Sequence, residues 1–119
     1  MTIFRENYEK KRAQRLLALE NKRQAILKIL PDIACSLKKI NVSLILVHGS
    51  ILRPGRFHER SDLDMILFGA QTQKWYPLCK IVDDYLSPFD INPDVRLSQD
   101  LSTSFIDNVK KLGMPFIYL

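Results

Sequence analysis

Glycine is scarce and unevenly placed: the chain has four in 119 residues, and none lies between Phe4 and Ile40. Nothing in that stretch marks a tight turn, which leaves room for a long helix. Cysteine is equally sparse. Cys35 and Cys79 have neither the paired spacing of a metal site nor the density of a secreted disulfide scaffold, so both read as reduced core thiols. The two histidines, His48 and His58, lack a second imidazole or thiol at ligand spacing, which argues against zinc. The longest largely apolar stretch, Val42 to Val47, falls far short of the roughly 20 residues a membrane span requires. The charged N-terminus has no signal-peptide pattern, so a cytoplasmic location without membrane attachment is expected.

What is present is the composition of an ordinary folded protein, 46% hydrophobic and 26% charged. A chain of this length has room for one core and too little material for a second substrate-binding domain. Net charge is +5, but residues 1–40 hold ten Lys and Arg against four Asp and Glu, whereas residues 41–119 hold eight against nine. The basicity belongs to the N-terminal segment. The expected organisation is a helical extension over 1–40 followed by a catalytic domain over 41–119.

Leu16, Leu19, Ile26, Leu30, Ile33, Leu37 and Ile40 recur at three- and four-residue steps, with Arg23 filling one gap. That spacing predicts one long amphipathic helix, or two, with a kink or break near residue 30 because Pro31 removes a backbone donor. Val42–Val47, rich in β-branched residues, predicts a buried strand running into Gly49-Ser50. Residues 51–61 form a basic loop with a Pro54-Gly55 turn signal, and Leu63–Phe68, ended by Gly69, is a strand covered on both faces. Helical spacing returns over 73–86, where Trp75 and Tyr76 read as packing residues. A third strand is expected over Asp94–Ser98, a last helix capped by Ser102 or Thr103 and ended by Gly113, and a final strand over Phe116–Leu119. The order implies an α/β or α+β domain around a small mixed sheet.

Asp62 and Asp64 are one residue apart at the start of a strand, so both carboxylates project from the same face. Two unit charges about 4 Å apart repel by about 4 kcal/mol at an effective dielectric near 20. A hard divalent cation compensates that repulsion. Mg²⁺ is commonly held by one or two carboxylates together with substrate phosphates, which links the pair to nucleotide chemistry. Gly49-Ser50, placed just after a strand, offers close backbone approach and hydrogen-bond donors for phosphate oxygens. In the spacer, Arg53 is the cation best placed to neutralise phosphate charge, while Arg56 and Arg60 read equally well as a solvated basic loop.

The stretch Val47–Gly69, VHGSILRPGRFHERSDLDMILFG, resembles the signature of the minimal nucleotidyltransferases of the DNA polymerase beta superfamily. The resemblance is strongest over 42–69 and weaker but continuous to the C-terminus. It implies a palm-like mixed sheet with flanking helices, two Mg²⁺ ions and ATP as donor. It also implies Gly49 and Ser50 at the phosphates, Asp62 and Asp64 as metal ligands, and a third carboxylate on a later strand. Asp94 is preferred for that third position, because Asp94-Val95-Arg96-Leu97 can run as a strand whereas Asp90 is soon followed by Asn92-Pro93; Asp90 stays open as the alternative.

For the minimal members, the resemblance further implies an antitoxin that silences a small helical HEPN-type toxin by adding AMP to a tyrosine hydroxyl. Two other readings stand beside it. One is a non-catalytic antitoxin that neutralises its partner by occlusion. The other is nucleic-acid binding through the basic helix, which the spread of charge around that helix disfavours.

Overall fold

In the computed structural model, which describes residues 2–116, a single helix α1 (Thr2–Lys38) occupies the first third of the chain. At about 1.5 Å per residue, its 37 residues account for most of the molecule's 60 Å long dimension. The expected kink or break at Pro31 does not divide the helix, which runs on through it. Pro31 sits on the exposed side, and buried Leu30, Ile33, Ala34 and Leu37 hold the helix to the sheet on both sides of the lost hydrogen bond. Each of the buried leucines and the isoleucine contributes about 1.5–3 kcal/mol, enough together to outweigh the proline.

The two ends of α1 differ. From Arg23 to Leu37 its inner stripe is part of the main core, whereas Ile3, Phe4, Tyr8, Leu16 and Leu17 are exposed. The apolar stripe read from Leu16 onward is therefore covered only from Leu19, which is half-buried.

Strands β1 (Leu44–His48), β2 (Leu63–Phe68), β3 (Pro93–Leu97) and β4 (Met114–Phe116) form one mixed sheet in the order β3-β2-β1-β4. β1 pairs antiparallel with both β2 and β4, and β2 pairs parallel with β3. Helix α2 (Trp75–Leu86) makes the crossover between the parallel strands, with Pro77 in its first turn where a missing N–H costs nothing. Helix α3 (Thr103–Leu112) is capped by Ser102, whose Oγ accepts from the Phe105 N–H at 3.2 Å. The last strand begins at Met114 rather than at Phe116, and residues 117–119 lie outside the described residues.

Period-two alternation divides the sheet into two faces. Ile45, Val47, Leu63, Met65, Leu67, Val95 and Leu97 pack into one core with Ile26, Leu30, Ile33 and Leu37 of α1 and Leu78, Val82 and Leu86 of α2. The other face carries His48, Asp64, Phe68, Asp94 and Arg96 around buried Leu46 and Ile66. α3 lies over its β1 side, where Phe105 meets His48 edge-on at 6.3 Å and Lys110 stands 5.5 Å over the Phe68 ring. The polar part of this second face is where the motif residues gather. No helix among the described residues is long and apolar enough to cross a membrane.

Candidate functional site

β1 ends at His48, and Gly49 then takes φ +88°, a left-handed conformation that frees the chain to turn into a short 3-10 segment, Ser50–Leu52. A Cβ at Gly49 would also collide with the Asp64 carboxylate. The glycine serves the turn by its φ and leaves room for the acidic side chain where it lies. The turn is braced from behind by α1. Arg23 Nη1 donates to the Ile51 carbonyl at 2.9 Å, while its Nε and Nη2 fork onto Glu20 at 2.9 and 2.8 Å. The fork holds the Glu20 carboxyl down at about pKa 2 and raises Arg23, and with the Ile51 carbonyl it gives each nitrogen of the buried guanidinium a partner.

β2 and β3 are in register with Asp64 directly beside Asp94. Asp62, one residue before the strand, is exposed, and Asp64 and Asp94 are half-buried. Burial raises the Asp64 pKa; His48, opposite it across the β1–β2 ladder, counters that rise, and the Asp94 and Asp62 charges add to it. Asp94 is in turn forked by Arg96, two residues along the same face, at 3.3 and 3.5 Å. Asp90 goes elsewhere. It caps a 3-10 turn at φ +51°, and its carbonyl accepts from Lys22 Nζ at 3.0 Å.

Beside the glycine turn opens a cleft of about 470 Å³ lined by Gly49, Ser50, Arg53, Arg56 and His58. Arg53 and Arg56 are both exposed there, so the structure brings Arg56 to the same cleft as Arg53. The spacer is closed by Ser61, which is buried and accepts from the His58 N–H at 2.8 Å. That turn delivers the chain to Asp62.

Three contributors escaped the sequence. Arg23 was visible only as a cation interrupting an apolar stripe. Ser61 carried the faint signal of a hydroxyl three residues after the group it binds. His48 read as an isolated imidazole, because only the β1–β2 register sets it opposite Asp64. One expectation is overturned: Trp75 and Tyr76 are not packing residues, being 44% and 76% exposed. Their position in the first turn of α2, at the rim of the sheet, lifts them out of the core that Leu78, Val82 and Leu86 enter.

Among the described residues, no group of three His, Cys, Asp or Glu side chains converges closely enough to hold a metal ion. What the site offers a cation is a pair of neighbouring carboxylates, Asp64 and Asp94, with Asp62 near enough to add its charge. An all-oxygen anionic donor set of that kind suits a hard divalent ion.

No family model and no curated relative matches the sequence. Its shape does have likenesses among solved structures. One is a toxin-antitoxin complex with AMP-PNP, at TM-score 0.56 and 21% identity over 76% of this chain and 74% of that one. Another is a mutant of the toxin-antitoxin MntA-HepT in which two aspartates separated by one residue are replaced by glutamate. It matches at TM-score 0.54 and 20% identity over 82% of this chain and 73% of that one. The toxin-antitoxin MntA-HepT itself matches at 0.50 and 19% identity, over 84% and 73%. The fold expected from the Gly-Ser and Asp-x-Asp resemblance is the fold found: a small mixed sheet with flanking helices and a long N-terminal helix.

Proposed function

We propose that this chain is a metal-dependent nucleotidyltransferase that moves AMP from ATP to a hydroxyl of a partner protein, acting as the antitoxin of a HEPN-type toxin. The observation that carries the reading is the juxtaposition of Asp64 and Asp94 in register, with Gly49 shaped to admit the Asp64 carboxylate. The toxin-antitoxin likenesses support the partner, and the AMP-PNP in one of them supports the nucleotide. The spacing of the two aspartates replaced in the mutant is the spacing of Asp62 and Asp64.

In this reading the triphosphate lies at the cationic cleft, with the Gly49-Ser50 turn and Arg53 on its oxygens. Asp64 and Asp94, joined by Asp62, would hold Mg²⁺, which supplies charge neutralisation at the phosphates. The acceptor oxygen forms its bond to the α-phosphorus as the bond from that phosphorus to the bridging oxygen of the β-phosphate breaks. Pyrophosphate leaves on the Gly49-Ser50 side, and the hydroxyl proton passes to the Asp94 carboxylate. Arg23 keeps the turn in place through the Ile51 carbonyl.

One observation favours the non-catalytic alternative. Arg96 engages Asp94, and the three carboxylates do not close into a ligand cluster. The two readings part on mass spectrometry of the chain and a co-purified partner after incubation with ATP and Mg²⁺. A gain of AMP on the partner is expected, and its loss in the Asp62→Asn, Asp64→Asn double variant. Undiminished neutralisation of the partner by that variant would establish occlusion instead.

A further inference from the structure

Residues 3–18 of α1 are exposed throughout. At about 1.5 Å per residue they form an arm that extends about 24 Å beyond the packed part of the helix. Its point of departure is fixed: Lys22 Nζ donates to the Asp90 carbonyl at 3.0 Å, and Arg23 Nη1 to that of Ile51 at 2.9 Å. Ile51 follows the Gly49 turn and Asp90 precedes β3, so α1 leaves the body at the end of the sheet where Gly49, Asp62 and Asp94 lie. The arm stands at the site's end of the molecule.

Eighteen residues make about five turns at 3.6 per turn, so each arm residue points the way of the residue eighteen places on. Tyr8, Arg12, Arg15 and Leu19 thus share the direction of Ile26, Leu30, Ile33 and Leu37, four residues that α1 buries in the core. The stripe that holds the helix to the sheet runs on along the arm, with cations in it. Lys11 flanks it, in line with half-buried Ile29. Glu6 is turned away, in line with exposed Gln24, and Glu9 is taken up by Arg5 at 3.3 Å. Among the described residues, no ion pair takes up Lys11, Arg12 or Arg15. Charge that looks spread around the helix in sequence is sorted once the buried stripe supplies a direction.

The composition of this face decides what covers it. A second copy of the chain would bring the same cations, which repel. An acidic surface answers Lys11, Arg12 and Arg15. The apolar members are Phe4 and Tyr8, four residues apart, and Leu16, which is 52% exposed where the arm joins the body. A phosphate backbone gives them no apolar contact, whereas the stripe of an amphipathic helix does. We infer that this face of the arm docks the partner protein through a helix whose apolar stripe is bordered by Asp and Glu. The inference rests on the partner in the reading above, and it gives that partner a seat and a charge.

The test follows the fluorescence anisotropy of three labelled probes titrated with the full chain: an amphipathic helical peptide with Leu on one face and Glu elsewhere, its Lys counterpart, and a single-stranded oligonucleotide. Saturable binding of the Glu peptide alone is expected. Arg12→Glu with Arg15→Glu should weaken it about tenfold and confer binding of the Lys peptide. Both positions are exposed, and circular dichroism checks that the fold is kept. Lys28→Glu with Lys39→Glu makes the same change in net charge at exposed positions beside the packed half of the helix, and should weaken binding less than about twofold. Equal loss in the two double variants overturns the inference, as does a flat titration. So does an oligonucleotide held more tightly than the Glu peptide, or sedimentation that shows the chain self-associating through the arm. AMP transfer to the co-purified partner, measured by mass spectrometry, judges the parent reading separately. Transfer undiminished in the Arg12, Arg15 variant refutes the seat and keeps the enzyme. Glu-peptide binding on the arm with no transfer by the parent chain keeps the seat and removes the enzyme.

Discussion

The two clefts that flank Asp64 and Asp94 are built from opposite materials. The one beside Gly49 has backbone in a left-handed turn, two arginines and an imidazole; the one beside β3 has two exposed aromatic rings and a carboxylate majority. They differ in support as well. The cationic cleft hangs on a turn braced by buried Arg23 of α1, which is paired with Glu20 at the surface, whereas the aromatic cleft is fixed by one indole hydrogen bond to a strand. The carboxylate pair lies between a cationic side and an aromatic side on which Arg96 balances Asp94. That contrast, more than either cleft alone, distinguishes the two sides of the carboxylate pair.

Removing the centre has the largest effect. Asp64→Asn should lower AMP transfer by about 10³-fold, the scale of losing a transition-state electrostatic group. It should also stabilise the fold. Burial, with Asp94 and Asp62 adding to it against His48, raises the Asp64 pKa above the carboxyl value of 3.8, so the folded state binds the proton more tightly than the unfolded one. Stability therefore falls as pH rises from 3.8 through the folded-state value, and the penalty is fully present above it. The asparagine variant carries no such penalty, so its Tm should exceed that of the parent at neutral pH, and the gap should close in acid. A variant less stable than the parent at neutral pH would show that the two carboxylates are not held under charge strain.

How much of this was legible follows from what each signal depends on. Leu63–Phe68 could be read to the residue, because an apolar run bounded by Asp62 and Gly69 is a local pattern. The Asp-x-Asp spacing at its start was equally local. Asp94 could be favoured over Asp90 from Pro93 and the strand after it, but its place beside Asp64 comes from parallel register, which no short window contains. Whether α1 was one helix or two stayed open because Pro31 is a local breaker, and the burial on both sides that overrules it is not local. Trp75 and Tyr76 were misjudged for the opposite reason: aromatic residues at helical spacing ordinarily pack, and only the position of α2 at the sheet's edge turns them outward. The early start of β4 belongs with these, since Pro115 is tolerated there only because β4 is an edge strand.

The next effect sharpens the contrast between the clefts. Arg53→Ala removes an exposed cation from the cleft beside Gly49, so the KM for ATP should rise about tenfold, with the fluorescence of Trp75 unchanged. Arg53 is exposed, and its replacement should leave stability within about 0.5 kcal/mol of the parent. Equal damage to both clefts would mean that they do not act separately.

The smallest effect probes the brace behind the turn. Glu20 sits on the surface with its carboxyl held at about pKa 2, first by the hydrogen bond to Arg23 and then by that to Gln24. A folded-state pKa below the unfolded value of 4.5 contributes stability that is present above 4.5 and lost as pH falls toward 2. Glu20→Gln should flatten the acid limb of Tm against pH between those limits. At neutral pH it leaves Arg23 with its bond to the Ile51 carbonyl but without its counter-charge. The turn should then loosen, raising the KM for ATP by up to about threefold, while the fluorescence of Trp75 stays as it was. An unchanged acid limb would remove the ion pair as the brace. A change at Trp75 would mean that α1 reaches both clefts, through the core it shares with α2.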